Sequence, residues 1–310
     1  LHRASVVQYL RPEIIAFVLG AFFSALAFKE YRPRGGSAPF IRFILGMFAM
    51  IGALVFLGCP WRTILRLAGG DGNAISGLLG LISGIWLGTR FLKAGYSLGK
   101  TQPAPSKMAG VAFPLLMFGL LVLLFIDPQP ADQARGMILF YSLKGPGSQH
   151  ASLAVSLSAA LLIGILAQRS RFCTMGAFRD LILFKQGHLF SGVAAFFIAA
   201  LATNLLLGQF NPGFAGQPIA HTMQLWNFLG MTLAGLAFSL SGGCPGRQLF
   251  LSGEGDADAA VFASGMIVGA AISHNFGLAS SPAGIGPNGA IATIIGLVVC
   301  IIIGLTMRRR

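Results

Sequence analysis

The chain has very few charged residues for its size. Only 10% of its 310 residues are Asp, Glu, Lys or Arg, whereas a soluble domain carries about 25%. Hydrophobic residues make up 55%, and the mean hydropathy is +0.76. This composition excludes an ordinary soluble domain and predicts an all-α polytopic membrane protein. The 42 glycines favour closely packed transmembrane helices.

Several signatures of enzymes and metal proteins are also missing. The sequence contains no Walker A motif, no H-E-x-x-H and no G-x-S-x-G, which argues against ATP hydrolysis, zinc-dependent proteolysis and serine-type hydrolysis by this chain. The four cysteines show neither C-x-x-C nor metal-ligand spacing. We therefore expect no disulfide framework, no metal site and no cofactor.

Nine apolar runs have the length of membrane spans, for which about 20 residues are needed. The chain begins at Leu1, and Ala25-Leu26-Ala27 weakly resembles a signal-peptidase site, but we expect the first run to be a retained helix. The runs that flank two Gly-Cys-Pro sequences are short, which indicates broken or re-entrant helices there. The predicted spans are residues 13–28, 40–58, 74–91, 109–126, 151–168, 189–207, 224–241, 259–277 and 289–307.

The basic residues are distributed unevenly between the two sides of these spans. One side carries 6 Lys and Arg residues and the other 16. Under the positive-inside rule, the N-terminus is outside and the C-terminus cytoplasmic. The net charge of +13 is thereby attributed to membrane orientation, and no nucleic-acid partner is expected.

The chain contains an internal duplication. Phe56–Ala74 and Ser239–Asp258 both include Gly-Cys-Pro-x-Arg, and their cysteines lie 185 positions apart. The same offset aligns further residues without a gap. The identical pairs are Gly58/Gly243, Cys59/Cys244, Pro60/Pro245, Arg62/Arg247, Gly70/Gly255, Asp71/Asp256, Ala74/Ala259, Gly80/Gly265 and Gly84/Gly269, and Asn73 faces Asp258.

The two copies are predicted to enter the membrane from opposite faces, because an odd number of spans, five, separates their cysteines. Inverted repeats with irregular central segments are a recurring design of transporters. We expect a first repeat over residues 13–126 and a second over 189–307. Residues 127–188 would hold a connecting loop, the fifth helix and a loop around Cys173.

The Gly-Cys-Pro sequences are the first candidate site. Gly58 and Gly243 permit unusual backbone geometry, and the following proline ends the preceding helical hydrogen bonding. Irregular backbone at membrane depth is tolerated where protein or a water-filled cavity covers it. Cys59 and Cys244 would then face a substrate path, since a thiol is a soft group and a weak hydrogen-bond donor. The alternative is that each cysteine is a small buried hydrophobe.

Arginines follow both cysteines. Arg62 and Arg247 each lie three positions after their cysteine, and ionisable residues at membrane depth are usually functional. They could attract an anion, or they could pair with Asp71 or Asp256 to hold the loop.

A third cysteine lies in a basic segment. Cys173 is flanked by Arg169, Arg171 and Arg179, which would favour a thiolate and attract anions. The alternative is an ordinary cytoplasmic basic loop. Cys300 lies in an apolar run, and we expect it to be a packing residue.

Two polar connections and two histidines complete the set. Asp127–His150 is predicted to be an external loop, and Ser280–Gly289 is predicted to be non-helical because of its prolines and glycines. His221 and His274 could relay protons or could be interfacial residues.

The motifs resemble those of a known family. GCPWR at 58–62, RFCTMGAFRD at 171–180 and GGCPGRQLFLSGEGD at 242–256 resemble the YeeE/YedE sulfur-transport family of bacterial inner-membrane proteins. The run through HNFGLASSPAGIGPNG at 274–289 is most similar to its YedE-type branch of selenium transporters. The resemblance covers about residues 40–305.

The resemblance implies uptake of a thiosulfate-like anion through an hourglass-shaped helical protein. In that family, single cysteines on re-entrant loops pass the ion along by S–H contacts, and they correspond here to Cys59, Cys173 and Cys244. The Pro-x-Arg after Cys59 and Cys244 departs from many thiosulfate members and leaves room for a selenium anion. A cytoplasmic sulfur- or selenium-carrier protein is an expected partner.

The leading hypothesis is uptake of a small sulfur- or selenium-containing anion, with external basic residues such as Arg62 concentrating it. One alternative is a membrane-embedded sulfur-transferase or thiol redox enzyme that uses one of the same cysteines. Another is an accessory subunit whose cysteines only pack.

Overall fold

The computed structural model describes residues 7–104, 106, 108–129 and 135–308. Helices dominate this part of the chain, with one two-stranded antiparallel ribbon, β1 (Arg34–Gly35) and β2 (Gln102–Pro103). The helices are α1 (Pro12–Ala27), α2 (Pro39–Phe56), α3 (Pro60–Ala68), α4 (Asn73–Lys93), α5 (Met108–Ile126), α6 (Leu153–Ser170), α7 (Thr174–Phe184), α8 (His188–Leu206), α9 (Gln224–Ser241), α10 (Pro245–Gly253), α11 (Ala257–Asn275) and α12 (Gly289–Thr306).

The apolar helices confirm the predicted fold class. Within the described residues, eight helical segments are long and apolar enough to cross a membrane, and α1 is a shorter apolar helix. Each predicted run coincides with one of α1, α2, α4, α5, α6, α8, α9, α11 and α12, to within two residues at either end. The chain is therefore an all-α polytopic membrane protein.

Three short helices, α3, α7 and α10, each follow a long helix after a break of three residues. Breaks at the two Gly-Cys-Pro sequences agree with the expectation of interrupted helices. The segment after Cys173 differs from the predicted loop, because Thr174–Phe184 is helical. The segment contains no proline, and Met, Ala, Arg and Leu within it favour a helix. The loop prediction was based on the surrounding basic residues and did not take these preferences into account.

The chain divides into two compact units. The first comprises Leu1–Ser37, Lys100–Phe172 and Arg247–Ala260. In it, α1 crosses α6 so closely that a Cβ at Gly20 would collide with the carbonyl of Leu161, and one at Gly164 with that of Phe17. Small residues permit this approach, as is common between transmembrane helices.

Asp127 organises the described part of the connection after α5, in the same unit. Its buried carboxylate accepts hydrogen bonds from the backbone N–H groups of Met137, Ile138 and Leu139 at 2.8, 2.6 and 2.7 Å, and its carbonyl accepts one from the hydroxyl of Tyr141. Hydrogen bonds from the N–H groups of Leu139, Ile138 and Met137 lower the pKa of Asp127. This loop is therefore held by an ionised carboxylate.

The second unit comprises Ala38–Gly99, Cys173–Gly246 and Val261–Arg310. At its centre, α9 packs against α2, α4 and α12. Helix α4 approaches α9 through two glycines, because a Cβ at Gly80 would collide with the carbonyl of Phe228 and one at Gly84 with that of Thr232.

Helix α11 approaches α2 in the same way. A Cβ at Gly265 would collide with the carbonyl of Phe43, and a Cβ at Gly269 would press against Met47. Each glycine and each contact partner lies 185 positions from its counterpart in the contact of α4 with α9. The offset that aligns the cysteines thus also aligns a pair of helix–helix contacts.

Candidate functional site

The break between α2 and α3 has a defined backbone geometry. Leu57 ends α2 in the left-handed region at φ 65°, and the N–H of Gly58 donates to the carbonyl of Ala53 at 2.8 Å. Cys59 follows as the N-cap of α3, which begins at Pro60. A left-handed residue closed by this hydrogen bond is a common helix C-terminus, and proline is favoured at the first helical position.

The break between α9 and α10 repeats this geometry. Gly242 is left-handed at φ 86°, and the N–H of Gly243 donates to the carbonyl of Phe238 at 3.1 Å. Cys244 follows directly, and α10 begins at Pro245.

The break between α6 and α7 is a third instance, which the sequence did not reveal. Arg171 is left-handed at φ 53°, and the N–H of Phe172 donates to the carbonyl of Ala167 at 3.2 Å. Cys173 is the N-cap of α7, and its Sγ accepts a hydrogen bond from the N–H of Gly176 at 3.2 Å. All three predicted cysteines therefore follow a left-handed helix end by two positions and precede a new helix.

This placement has an electrostatic consequence. The first turn of a helix carries N–H groups without intrahelical partners and the positive end of the helix dipole, which together attract anions. Cys59 is half-buried, whereas Cys173 and Cys244 are buried, and none of the four cysteines forms a disulfide. Three thiols thus stand where a helix favours negative charge.

Two of these helix starts are in contact. A Cβ at Gly246, two residues after Cys244, would lie 2.9 Å from the ring of Trp61, two residues after Cys59. Trp61 also packs edge-on against Phe196 of α8, with ring centroids 6.3 Å apart. Helix α7 contacts α3 as well. Trp61 was not singled out from the sequence, although it lies inside the first motif.

The predicted arginines have different surroundings. The stem of Arg62 lies over Gly58, where a Cβ would be 3.2 Å from Arg62 Cδ. Arg247 is nearly buried, and its Nη1 lies 3.3 Å from Glu254 Oε1. Arg179 donates from Nε to Asp180 Oδ1 at 2.8 Å. Arg247 and Arg179 therefore each have a carboxylate partner in their own neighbourhood.

Arg171 and Arg169 converge on one acid. Arg169 Nη1 lies 3.1 Å from Glu30 Oε1, and Arg171 Nη2 lies 3.7 Å from Glu30 Oε2. A hydrogen bond from Gln168 and the charges of the two arginines lower the pKa of Glu30. The side chain of Arg171 is 60% exposed, so the ion pair leaves most of it uncovered by the protein.

The loop after α3 is held by a buried ion pair. Arg66 Nε donates to Asp71 Oδ2 at 2.6 Å, and the two side chains are only 6% and 4% exposed. The other carboxylate oxygen accepts hydrogen bonds from the backbone and side-chain nitrogens of Asn73 at 2.9 and 2.8 Å. Asp71 therefore fixes the turn that links α3 to α4.

The loop after α10 uses a different arginine. Asp256 Oδ2 accepts from Arg34 Nε at 2.7 Å, and its Oδ1 accepts from the N–H of Ala259 at 3.0 Å. Asp258 accepts hydrogen bonds from the N–H groups of Gly36 and Ser37. The duplicated Asp71 and Asp256 thus each hold the loop before the next long helix, but they bind arginines from different segments.

The last carbonyls of α2 are capped by side chains. Val55 O accepts from His221 Nε2 at 2.8 Å and from Ser280 Oγ at 2.7 Å, and Phe56 O accepts from Arg66 Nη1 at 2.9 Å. Burial lowers the pKa of His221. A neutral imidazole that donates from Nε2 fits this contact, so His221 lies at a buried helix end.

The last carbonyls of α9 are capped in a similar manner. Leu240 O accepts from the hydroxyl of Tyr96 at 3.0 Å, and Ser241 O accepts from Arg42 Nη1 at 3.0 Å. Arg42, Arg66 and Tyr96 were not identified from the sequence. In the sequence, these residues stand out only as polar side chains inside or beside apolar runs. Their capping role can be assigned only when the structure shows which carbonyls they contact.

Among the residues that the structure describes, no group of three His, Cys, Asp or Glu side chains could hold a metal ion. Cys300 is buried inside α12, in agreement with the packing role expected from its apolar surroundings.

Two comparisons with known proteins bear on the family. Residues 169–307 match the family model described as sulphur transport. Over 105 residues, the chain is 35% identical to the thiosulfate transporter TsuA of Spirochaeta thermophila, and the match covers 32% of this chain and 29% of that relative. The aligned part thus spans less than a third of the relative's length. The matched region includes two of the motifs singled out above, at 171–180 and 242–256, and supports the resemblance of residues 169–307 to sulfur-transport proteins.

Proposed function

We propose that this protein transports a small sulfur-containing anion across the membrane. The observation that carries the proposal is that Cys59, Cys173 and Cys244 each stand at the N-terminal end of a short helix after the same kind of helix break. Such ends attract anions. The family match and the similarity to a thiosulfate transporter support the same activity.

The three cysteines are proposed to act as successive weak sites. A thiol is a polarizable, weak hydrogen-bond donor, so it holds a sulfur-containing anion loosely. Transport needs sites of this kind, because an ion that binds tightly at any one point does not leave. Gly58 and Gly243 stand directly before the cysteines, after the left-handed turns at Leu57 and Gly242. Arg62, Arg247, Arg171 and Arg179 are proposed to raise the local anion concentration.

The substrate class includes thiosulfate-like and selenium species. Pro60 and Pro245, with the arginines two positions further on, distinguish these motifs from many thiosulfate members. We propose that the same path accepts a selenium anion.

The direction and setting of transport are part of the proposal. The excess of basic residues on one side favours a bacterial inner-membrane orientation with the N-terminus outside and the C-terminus in the cytoplasm. Uptake would then deliver the anion to a cytoplasmic sulfur- or selenium-carrier protein.

The test is uptake by vesicles that contain the purified protein. Labelled thiosulfate and labelled selenite are each supplied alone and against an excess of the other. We expect Cys59→Ala and Cys244→Ala to reduce uptake at matched protein levels, with Cys300→Ala as the control. Unchanged uptake in both variants would refute the cysteine path.

The enzyme alternative uses the same thiols. A thiol at a helix N-terminus also suits a nucleophile. Mass spectrometry of the protein after incubation with thiosulfate distinguishes the two activities. In a sulfur-transferase, a cysteine thiolate attacks the outer sulfur of thiosulfate, the S–S bond breaks, sulfite leaves and a persulfide remains on the cysteine, whereas a transporter forms no persulfide.

A further inference from the structure

Thr174 has an unusual environment for a buried hydroxyl. It is the first residue of α7, directly after Cys173, and its side chain is fully buried. Its Oγ1 has no hydrogen-bond partner among the residues that the structure describes. Buried hydroxyls are nearly always hydrogen-bonded, and an exception points to a bound group or a functional role.

The absence of a partner follows from the position of Thr174 in its helix. A threonine inside a helix usually donates to the carbonyl four residues earlier. Thr63 donates in this way to Cys59 O at 3.1 Å, and Thr293 to Gly289 O at 2.8 Å. For Thr174, the residue four positions earlier is Ser170, which ends α6 before the break. Its own helix therefore offers no acceptor.

The start of α7 also differs from those of α3 and α10. Pro60 and Pro245 follow the other two cysteines, and a proline contributes neither an N–H nor a hydroxyl. Thr174 contributes both at the corresponding position. The third cysteine therefore has a neighbouring donor that the other two lack.

The neighbouring sulfur has its own hydrogen bond. Cys173 Sγ accepts from the N–H of Gly176, which places the sulfur over the first turn of α7, on the helix end that carries the Thr174 hydroxyl. The S–H and O–H protons are then two neutral donors at one helix N-terminus. A neutral pair suits a transient anion site, because it adds hydrogen bonds without adding a charge that would retain the ion.

We propose that Thr174 is a further substrate-binding residue, whose hydroxyl donates a hydrogen bond to the transported anion while that anion is at Cys173. This inference rests on the proposed function and adds a specificity-determining residue to it. An oxyanion such as thiosulfate or selenite supplies the acceptor oxygen that the hydroxyl lacks.

The test compares Thr174→Val with Thr174→Ser. Valine preserves the branched shape and removes the hydroxyl, and serine retains it. Thr293→Val is the matched control, because that hydroxyl is equally buried but bonded within α12. Each variant is assayed for uptake of labelled thiosulfate and selenite, and for the apparent Tm with and without thiosulfate.

We expect Thr174→Val to raise KM by roughly tenfold, the loss of about one hydrogen bond, while its apparent Tm without ligand is unchanged or higher. Thr174→Ser should stay close to wild type. Thr293→Val should transport normally and should have a lower apparent Tm, since it loses a satisfied hydrogen bond.

The outcomes separate this inference from the proposed function. If wild type transports an anion and Thr174→Val does so with the same KM, the binding role is refuted and the transport function stands. If Thr174→Val loses both uptake and ligand-free stability, the hydroxyl is structural and the inference is wrong. If thiosulfate and selenite are neither transported by wild type nor raise its Tm, both proposals fail.

Discussion

Replacing Gly80 by alanine would perturb the close contact between α4 and α9 in the second unit. The added Cβ would collide with the backbone carbonyl of Phe228 in α9. A backbone atom cannot rotate away as a side chain can. An ordinary contact therefore requires α4 to move from α9 by about 1 Å or more.

The magnitude is a balance of two effects. Alanine favours a helix over glycine by about 1 kcal/mol. Overpacking a well-fitted contact costs roughly 1–3 kcal/mol, and a collision with backbone belongs at the upper end. The net effect is a loss of about 2 kcal/mol of stability, which lowers the apparent Tm of a chain of 310 residues by about 3 °C.

Thermal unfolding of the purified protein in detergent measures this loss. Gly119→Ala in α5 is the matched control, because a Cβ there has no neighbouring atom within 4 Å, and it should keep or raise the Tm. Gly265→Ala should resemble Gly80→Ala, since its Cβ meets the carbonyl of Phe43. If Gly80→Ala had the same Tm as Gly119→Ala, the reasoning from close helix approach would be refuted.

Three further outcomes are expected. Leu57→Gly should increase the free energy of unfolding by up to about 1 kcal/mol and raise the Tm slightly, because a φ of 65° strains a leucine. A lower Tm would show that the packing of the leucine side chain contributes more than the backbone strain costs. Asp71→Asn should cost about 3–5 kcal/mol by leaving Arg66 buried without its carboxylate, and the added Arg66→Met should recover part of the Tm. The loop held by Asp127 should loosen as pH falls through the lowered pKa of that carboxyl, because a depressed pKa stabilises the fold only while the group is ionised. The Ile138 amide should then lose protection from exchange as the pH falls below the usual titration range of aspartate, and Asp127→Asn should abolish that dependence.

The sequence was sufficient for the membrane fold because hydrophobic length is a one-dimensional property. Each predicted run coincided with a helix to within two residues, since spanning the hydrocarbon fixes the number of apolar residues. The pairing of inverted repeats stays a prediction. The contacts of Gly80 and Gly265, at the offset of the cysteines, support it.

The helix at Cys173 escaped prediction for a physical reason. The two Gly-Cys-Pro sequences contain glycine and proline, which indicate a break whatever residue adopts the left-handed region, Leu57 in one and Gly242 in the other. The break before α7 contains neither glycine nor proline, and Arg171 adopts the left-handed region there, a conformation that arginine rarely adopts. Partners that come from distant segments, such as Arg34 for Asp256 or His221 for Val55, were equally hidden, because only the fold brings them together.

At each Gly-Cys-Pro break, the C-terminal end of the long helix is capped by side chains, whereas the N-terminal end of the short helix carries the cysteine. This difference favours an anion at the break. A broken helix exposes carbonyls on one side of the gap and N–H groups on the other. On the carbonyl side, Arg66 donates to the last turn of α2 and Arg42 to the last turn of α9. These guanidinium groups offset the negative ends of both helices. On the N–H side stand Cys59 and Cys244, at the positive starts of α3 and α10. In the proposed path, this arrangement would favour an anion over a cation at the thiols.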